Sequence, residues 1–91
     1  MNDMTQSNFS YFRKAVTRAV SNYSISAKDL YFSQSQRGYY ADYRPAYPDK
    51  TPADFTVYQD MDETVRVYGN PDALVPTIDT FTDLADFEVN L

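Results

Sequence analysis

Pro45, Pro48 and Pro52 stand close together near the middle of the chain. Proline fixes φ and lacks an N–H, so neither a helix nor a central strand can run through this stretch. Any fold must therefore be assembled from two stretches, one on either side of the break. Charge divides at the same place. Up to Lys50 there are seven basic residues against four acidic ones, a net +3; beyond it Arg66 stands alone against nine acids, a net −8, for −5 overall. An asymmetry of this kind speaks to partners more than to fold.

The 91 residues are enough for one core and too few for two. We read residues 1–91 as a single domain, with residues 1–6 frayed. A chain of this size hides about 60–65 % of the surface its unfolded form exposes. Val, Ile, Leu and Phe make only 19 of the 91 residues, near the limit at which chains stop folding. Nine Tyr and six Phe supply much of the apolar area. Tyr also brings a polar tip and is enriched at interfaces. Such a thin core leaves room for a homodimer.

The chain has no cysteine and no histidine. Disulfides, thiolate cages, thiol nucleophiles and the commonest general base are thereby removed. Gly38 and Gly69 are the only glycines, too few for a phosphate-cradling loop. Asp60-Met61-Asp62-Glu63 crowds carboxylates but lacks the glycine and the distal glutamate of an EF-hand. Asp60 with Asp62, or Asp79 with Asp83, have a spacing suited to acid/base work, yet catalytic pairs need burial to separate their pKa values. The expectation is no enzyme, no cofactor and no metal. The opening Met1-Asn2-Asp3-Met4-Thr5-Gln6 lacks the apolar run of a secretion signal, and no stretch reaches the length of a membrane span. A soluble, cytoplasmic protein with no membrane partner is expected.

Periodicity predicts the elements. Ser7 is placed to cap a helix running to about Tyr23, with Phe9, Phe12, Val16, Ala19 and Tyr23 on one stripe. Arg13, Lys14 and Arg18 fall outside it, giving a basic outer face. Ser26-Ala27-Lys28-Asp29 resembles a capping box and predicts a second helix to about Gln36, burying Leu30 and one of Tyr31 or Phe32, and ended by Gly38. Tyr39–Tyr43 reads as an edge strand. Phe55–Gln59 and Val65–Tyr68 alternate as half-buried strands about a turn at Asp60–Thr64. Setting Val57 opposite Val67 puts Tyr58 opposite Arg66 and Thr56 near Tyr68. Thr77 is placed to cap a helix with Ile78, Phe81 and Ala85 inward, and Phe87, Val89 and Leu91 alternate as a terminal strand. The fold class is α+β: an N-terminal helical hairpin packed on a small, mainly antiparallel sheet, with a further C-terminal helix.

Function is read from surface chemistry. A basic first helix with many aromatics suits nucleic acid, but the net charge of −5 opposes direct binding. Eleven of the thirteen acids are Asp, whose short side chain is held close to the backbone. Asp79, Asp83 and Asp86 fall on a common face if the segment is helical, with a rise of about 6 Å from i to i+4. That spacing is of the order separating phosphates along a DNA strand. Rows of carboxylates can thus present themselves to Lys and Arg clefts as a nucleic-acid backbone does, with fast, salt-sensitive association. A small acidic chain without cysteine or histidine is similar in style to phage-encoded inhibitors of host nucleases or CRISPR complexes. The expected function is a non-enzymatic phage or mobile-element inhibitor, a DNA mimic of anti-CRISPR or anti-restriction type. Its expected partner is a basic nucleic-acid-binding protein or complex of the host. Asp60, Asp62, Glu63, Asp79, Asp83 and Asp86 are the charge-bearing candidates; Tyr39, Tyr40, Tyr43 and Tyr58 are the contact candidates. The alternative is an adaptor, immunity or virion accessory protein binding through the Tyr-rich segment 39–47.

Overall fold

The computed structural model describes residues 4–45, 53–70, 72–77 and 80–91. The parts of the proline-rich loop beyond Pro45, and Asp79 with it, lie outside the described residues, as do residues 1–3 of the segment expected to fray. The first element is helix α1, Met4–Ser21, which begins about one turn ahead of Ser7. Of the expected stripe, Phe12, Val16 and Ala19 are buried, Phe9 is partly buried against the core, and Tyr23 lies beyond the helix; Ala15 and Val20 are buried as well, while Arg13, Lys14 and Arg18 face outward. Ser24 closes its C-terminal end in a left-handed conformation, φ 63°.

The expected second helix is not there. Ser26 does cap, accepting from the Lys28 N–H, but only a single 3₁₀ turn follows, Ala27–Asp29. The chain then enters strand β1, Leu30–Ser35. The reason is visible in the residues. Leu30 and Phe32 alternate with Tyr31 and Ser33, a period of two, and Ser33 and Ser35 are weak helix formers. A β-strand also gives Gly38–Tyr43, strand β2, a partner on that side, so β2 is interior and not an edge. The helical hairpin is therefore replaced by helix plus strand, within an α+β fold.

Strands β3, Phe55–Asp60, and β4, Val65–Gly69, form the expected hairpin. Val57 lies opposite Val67, Tyr58 opposite Arg66 and Thr56 opposite Tyr68. A two-residue strand β5, Thr80–Phe81, completes a five-stranded antiparallel sheet in the order β1-β2-β3-β4-β5. The last element is helix α2, Leu84–Asn90. The C-terminal helix thus starts later than Thr77, and the expected terminal strand is helical instead. Asp83 is its N-cap and accepts from the Asp86 N–H at 2.9 Å. Leu84, Phe87 and Leu91 follow at spacings of three and four and turn inward, which leaves Val89 81 % exposed.

Both helices cover one face of the sheet. The core joins Phe12, Val16 and Val20 of α1 to Phe55, Val57, Val65 and Val67 of the central strands and to Phe87 of α2. Aromatic rings fill what the few aliphatics cannot. Phe12 meets Phe32 edge-on at 6.2 Å and Tyr39 at 5.5 Å, and Phe81 meets Phe87 edge-on at 5.4 Å. Gly38 is required by close packing, since a Cβ there would sit 2.0 Å from the Gln59 carbonyl oxygen. The two helices are joined at their ends: Arg18 pairs with Glu88 at 2.8 Å, and the Tyr23 hydroxyl donates to the Leu91 carbonyl at 2.9 Å. Among the described residues no helix is long and apolar enough to cross a membrane.

Candidate functional site

A groove of about 590 Å³ opens beside α1 and the β3–β4 turn. Its walls are the N-terminal part of α1, the β1–β2 turn, the β3–β4 turn and the start of α2. Tyr11, Tyr39, Met61 and Leu84 give it apolar surface; Tyr11 and Met61 are 44 % and 74 % exposed. Asp60 and Glu63 from the hairpin and Asp83 from the cap of α2 give it charge. No lysine or arginine is among the described residues that line it. Two separate elements therefore deliver three carboxylates to one apolar-floored depression.

The turn carrying two of them is tightly specified. Asp60 N–H donates to the Thr64 carbonyl and Glu63 N–H to the Asp60 carbonyl, both at 2.9 Å. Gln59, buried beneath, donates its side-chain amide to the Glu63 carbonyl at 3.3 Å. Glu63 is held at φ 76°, a left-handed conformation that glycine takes without steric penalty and glutamate does not. Asp62 accepts from the Thr64 N–H at 3.0 Å. Hydrogen bonds from Thr64, aided by Arg66, hold the Asp62 carboxyl below the usual aspartate value. It sits in the same turn but does not line the groove.

Asp86 has another task. Its carboxylate accepts from the Thr82 N–H at 2.9 Å and from the Asn90 amide at 2.6 Å, closing the start of α2. The Thr82 backbone bond, followed by the Asn90 bond, lowers its pKa. The expected helical row Asp79, Asp83, Asp86 does not form. Strand β5 intervenes, Asp83 is a cap and not a mid-helix residue, and Asp79 lies outside the described residues.

The four tyrosines divide between the two faces of the sheet, because successive strand residues point opposite ways. Tyr39 points inward, packs against Phe9 and Phe12, and lines the groove. Tyr43 is a core residue, 8 % exposed and 5.1 Å from the Phe55 ring, so it offers no ring to a partner. Tyr40 and Tyr58 point to the opposite face, with ring centroids 4.8 Å apart. There they lie in one cross-strand row with Ser33, Arg66 and Thr80, beside a row containing Tyr31, Asp42, Thr56 and Tyr68. Tyr31 and Tyr68 are 43 % and 50 % exposed. Thr56 donates to Asp42 at 2.7 Å, and Arg44 pairs with the same carboxylate at 3.0 Å.

Tyr11, Met61 and Leu84 were missed from the sequence. Tyr11 carried a usable signal: an aromatic on α1 that falls off the buried stripe. Among the described residues, no three carboxylates are grouped so as to hold a metal ion. Compared with family models, with curated proteins and with solved structures, the chain matches none.

Proposed function

We propose that this chain is a non-enzymatic binding protein whose groove receives a cationic segment of a partner protein. One observation carries the reading: Asp60, Glu63 and Asp83, brought from different elements, line a single groove with apolar walls and no basic lining residue among those described. A lysine or arginine side chain has the matching form, an apolar stem with a charged head. The stem lies along Tyr11 and Met61 and the head meets the carboxylates. The left-handed Glu63 supports this, since a charged residue is kept where glycine would cost less. In its fullest form the reading is a phage or mobile-element inhibitor acting in the host cytoplasm. It occupies the basic nucleic-acid surface of a host defence or nucleic-acid enzyme, such as a nuclease or CRISPR complex. The −8 of the second half adds long-range attraction.

The test is isothermal titration with a deca-arginine peptide. Asp60→Asn, Glu63→Gln and Asp83→Asn are combined, the last because Asn also caps helices. Binding that falls at least about tenfold, with a shallower salt dependence, supports the reading. Unchanged binding overturns it.

A second reading has its own observation. The sheet face opposite the helices carries Tyr31, Tyr40, Tyr58 and Tyr68, and among the described residues no helix covers it. That favours an adaptor or assembly role through stacked rings. Tyr40→Ser with Tyr58→Ser discriminates: partner binding lost without salt dependence points to this face.

A further inference from the structure

Among the described residues, strand β1 is hydrogen-bonded on one side only, to β2. The Arg44 N–H donates to the Asp29 carbonyl at 2.9 Å, which sets the phase of the antiparallel ladder. Tyr31, Ser33 and Ser35 turn their backbone groups toward β2. Phe32 and Gln34 turn their N–H and C=O groups away from the sheet. The tight connection closing on the Ser35–Gly38 pair agrees with this phase. Exposed edges are ordinarily guarded by lysine, proline or a bulge. Leu30–Ser35 contains no charge and no proline, and its register with β2 is unbroken.

A groove of about 530 Å³ lies beside this edge, between α1 and β1. Ser10, Arg13, Lys14 and Thr17 form its helical wall, and Leu30 and Phe32 its strand wall. The Arg13 guanidinium rests 5.4 Å from the Phe32 ring centroid. Arg18 also lines the groove but is held by Glu88. Among the described residues no carboxylate pairs with Arg13 or Lys14. Open strand hydrogen-bonding groups and two cations therefore share one groove.

We propose that the β1 edge is a second binding site, which takes an extended acidic peptide segment as an added strand. Its main chain bonds to Phe32 and Gln34, and alternate carboxylates on the face toward α1 meet Arg13 and Lys14. A second copy of this chain is disfavoured as occupant. Pairing β1 with β1 sets two α1 flanks side by side, each with the same cations. Nucleic acid matches the charge but has no backbone that answers alternating N–H and C=O groups.

The probe is a capped octapeptide of alternating valine and aspartate, titrated into the ¹⁵N-labelled full chain with hydrogen exchange followed by residue. Binding with new protection at the Phe32 and Gln34 amides is expected. Arg13→Glu with Lys14→Glu should weaken it at least about tenfold. Gln34→Pro removes an outward N–H and no bond to β2, and should weaken it comparably while leaving the circular dichroism of the fold intact. Absence of binding, equal binding of a valine–lysine octapeptide, or binding without protection at those two amides overturns the proposal. So does displacement of the peptide by an oligothymidylate, which would assign the groove to nucleic acid, or dimerisation that Gln34→Pro abolishes, which would assign the edge to a second copy.

Discussion

The buried side-chain amide of Gln59 donates to the carbonyl of Glu63 at 3.3 Å, pinning a residue whose φ is 76°. The turn thus stores strain at a point where a carboxylate enters the groove. Glu63→Gly should raise stability by up to about 1 kcal/mol in urea denaturation, because the left-handed penalty disappears. The same variant should bind deca-arginine more weakly. Stability and binding moving in opposite directions is the signature of a residue retained for its charge.

Gly38 and Gly69 should behave in the opposite way. Each has φ 154°, and an added Cβ would meet the Gln59 carbonyl oxygen at 2.0 Å or the Asp54 carbonyl oxygen at 2.5 Å. Backbone, not a flexible side chain, is the obstacle. Gly38→Ala should cost roughly 2–4 kcal/mol, read from the shift of the urea midpoint at constant slope.

How far these features were readable in the sequence depends on how local their causes are. The β3–β4 hairpin was legible to the residue pair, because alternation and a turn of Asp residues lie within one short stretch. Segment 27–36 was not. Ser26 does cap, and Leu30 and Phe32 alternate with a period of two, so the local signals after Asp29 conflict; pairing with β2, a non-local event, settles them for strand. The end of the chain misled for a related reason. Phe87, Val89 and Leu91 alternate, yet the Asp83 cap and the inward stripe of Leu84, Phe87 and Leu91 outweigh that alternation. Of the candidate site, the hairpin acids were found through the turn. The meeting of Asp83 with Asp60 and Glu63 depends on how α2 docks, which is a tertiary event.

Acid should loosen α2 in a defined direction. Hydrogen bonds from Thr82 and Asn90 lower the Asp86 pKa from its ordinary 3.8. A folded-state pKa below the unfolded one contributes stability in full above the unfolded value, and loses it as pH falls through the folded value. Thermal melts between pH 5 and pH 2.5 should therefore show a smaller acid-induced drop for Asp86→Asn than for the parent chain.

The aromatic core should tolerate little truncation. Phe12 is fully buried between Phe32 and Tyr39. Phe12→Ala should cost about 3–5 kcal/mol, a large part of the stability of so small a domain. Tyr23→Phe, which removes only the bond to the Leu91 carbonyl, should cost about 1 kcal/mol by the same measurement.

The groove itself is tested most directly by mapping a cationic ligand onto the chain. In a titration of the ¹⁵N-labelled protein with deca-arginine, the amides of Asp60–Thr64, Leu84, Ala85 and Tyr11 should shift together and saturate with one affinity. Shifts confined to β1 or to the Tyr40–Tyr58 face, with the hairpin turn silent, would contradict the account.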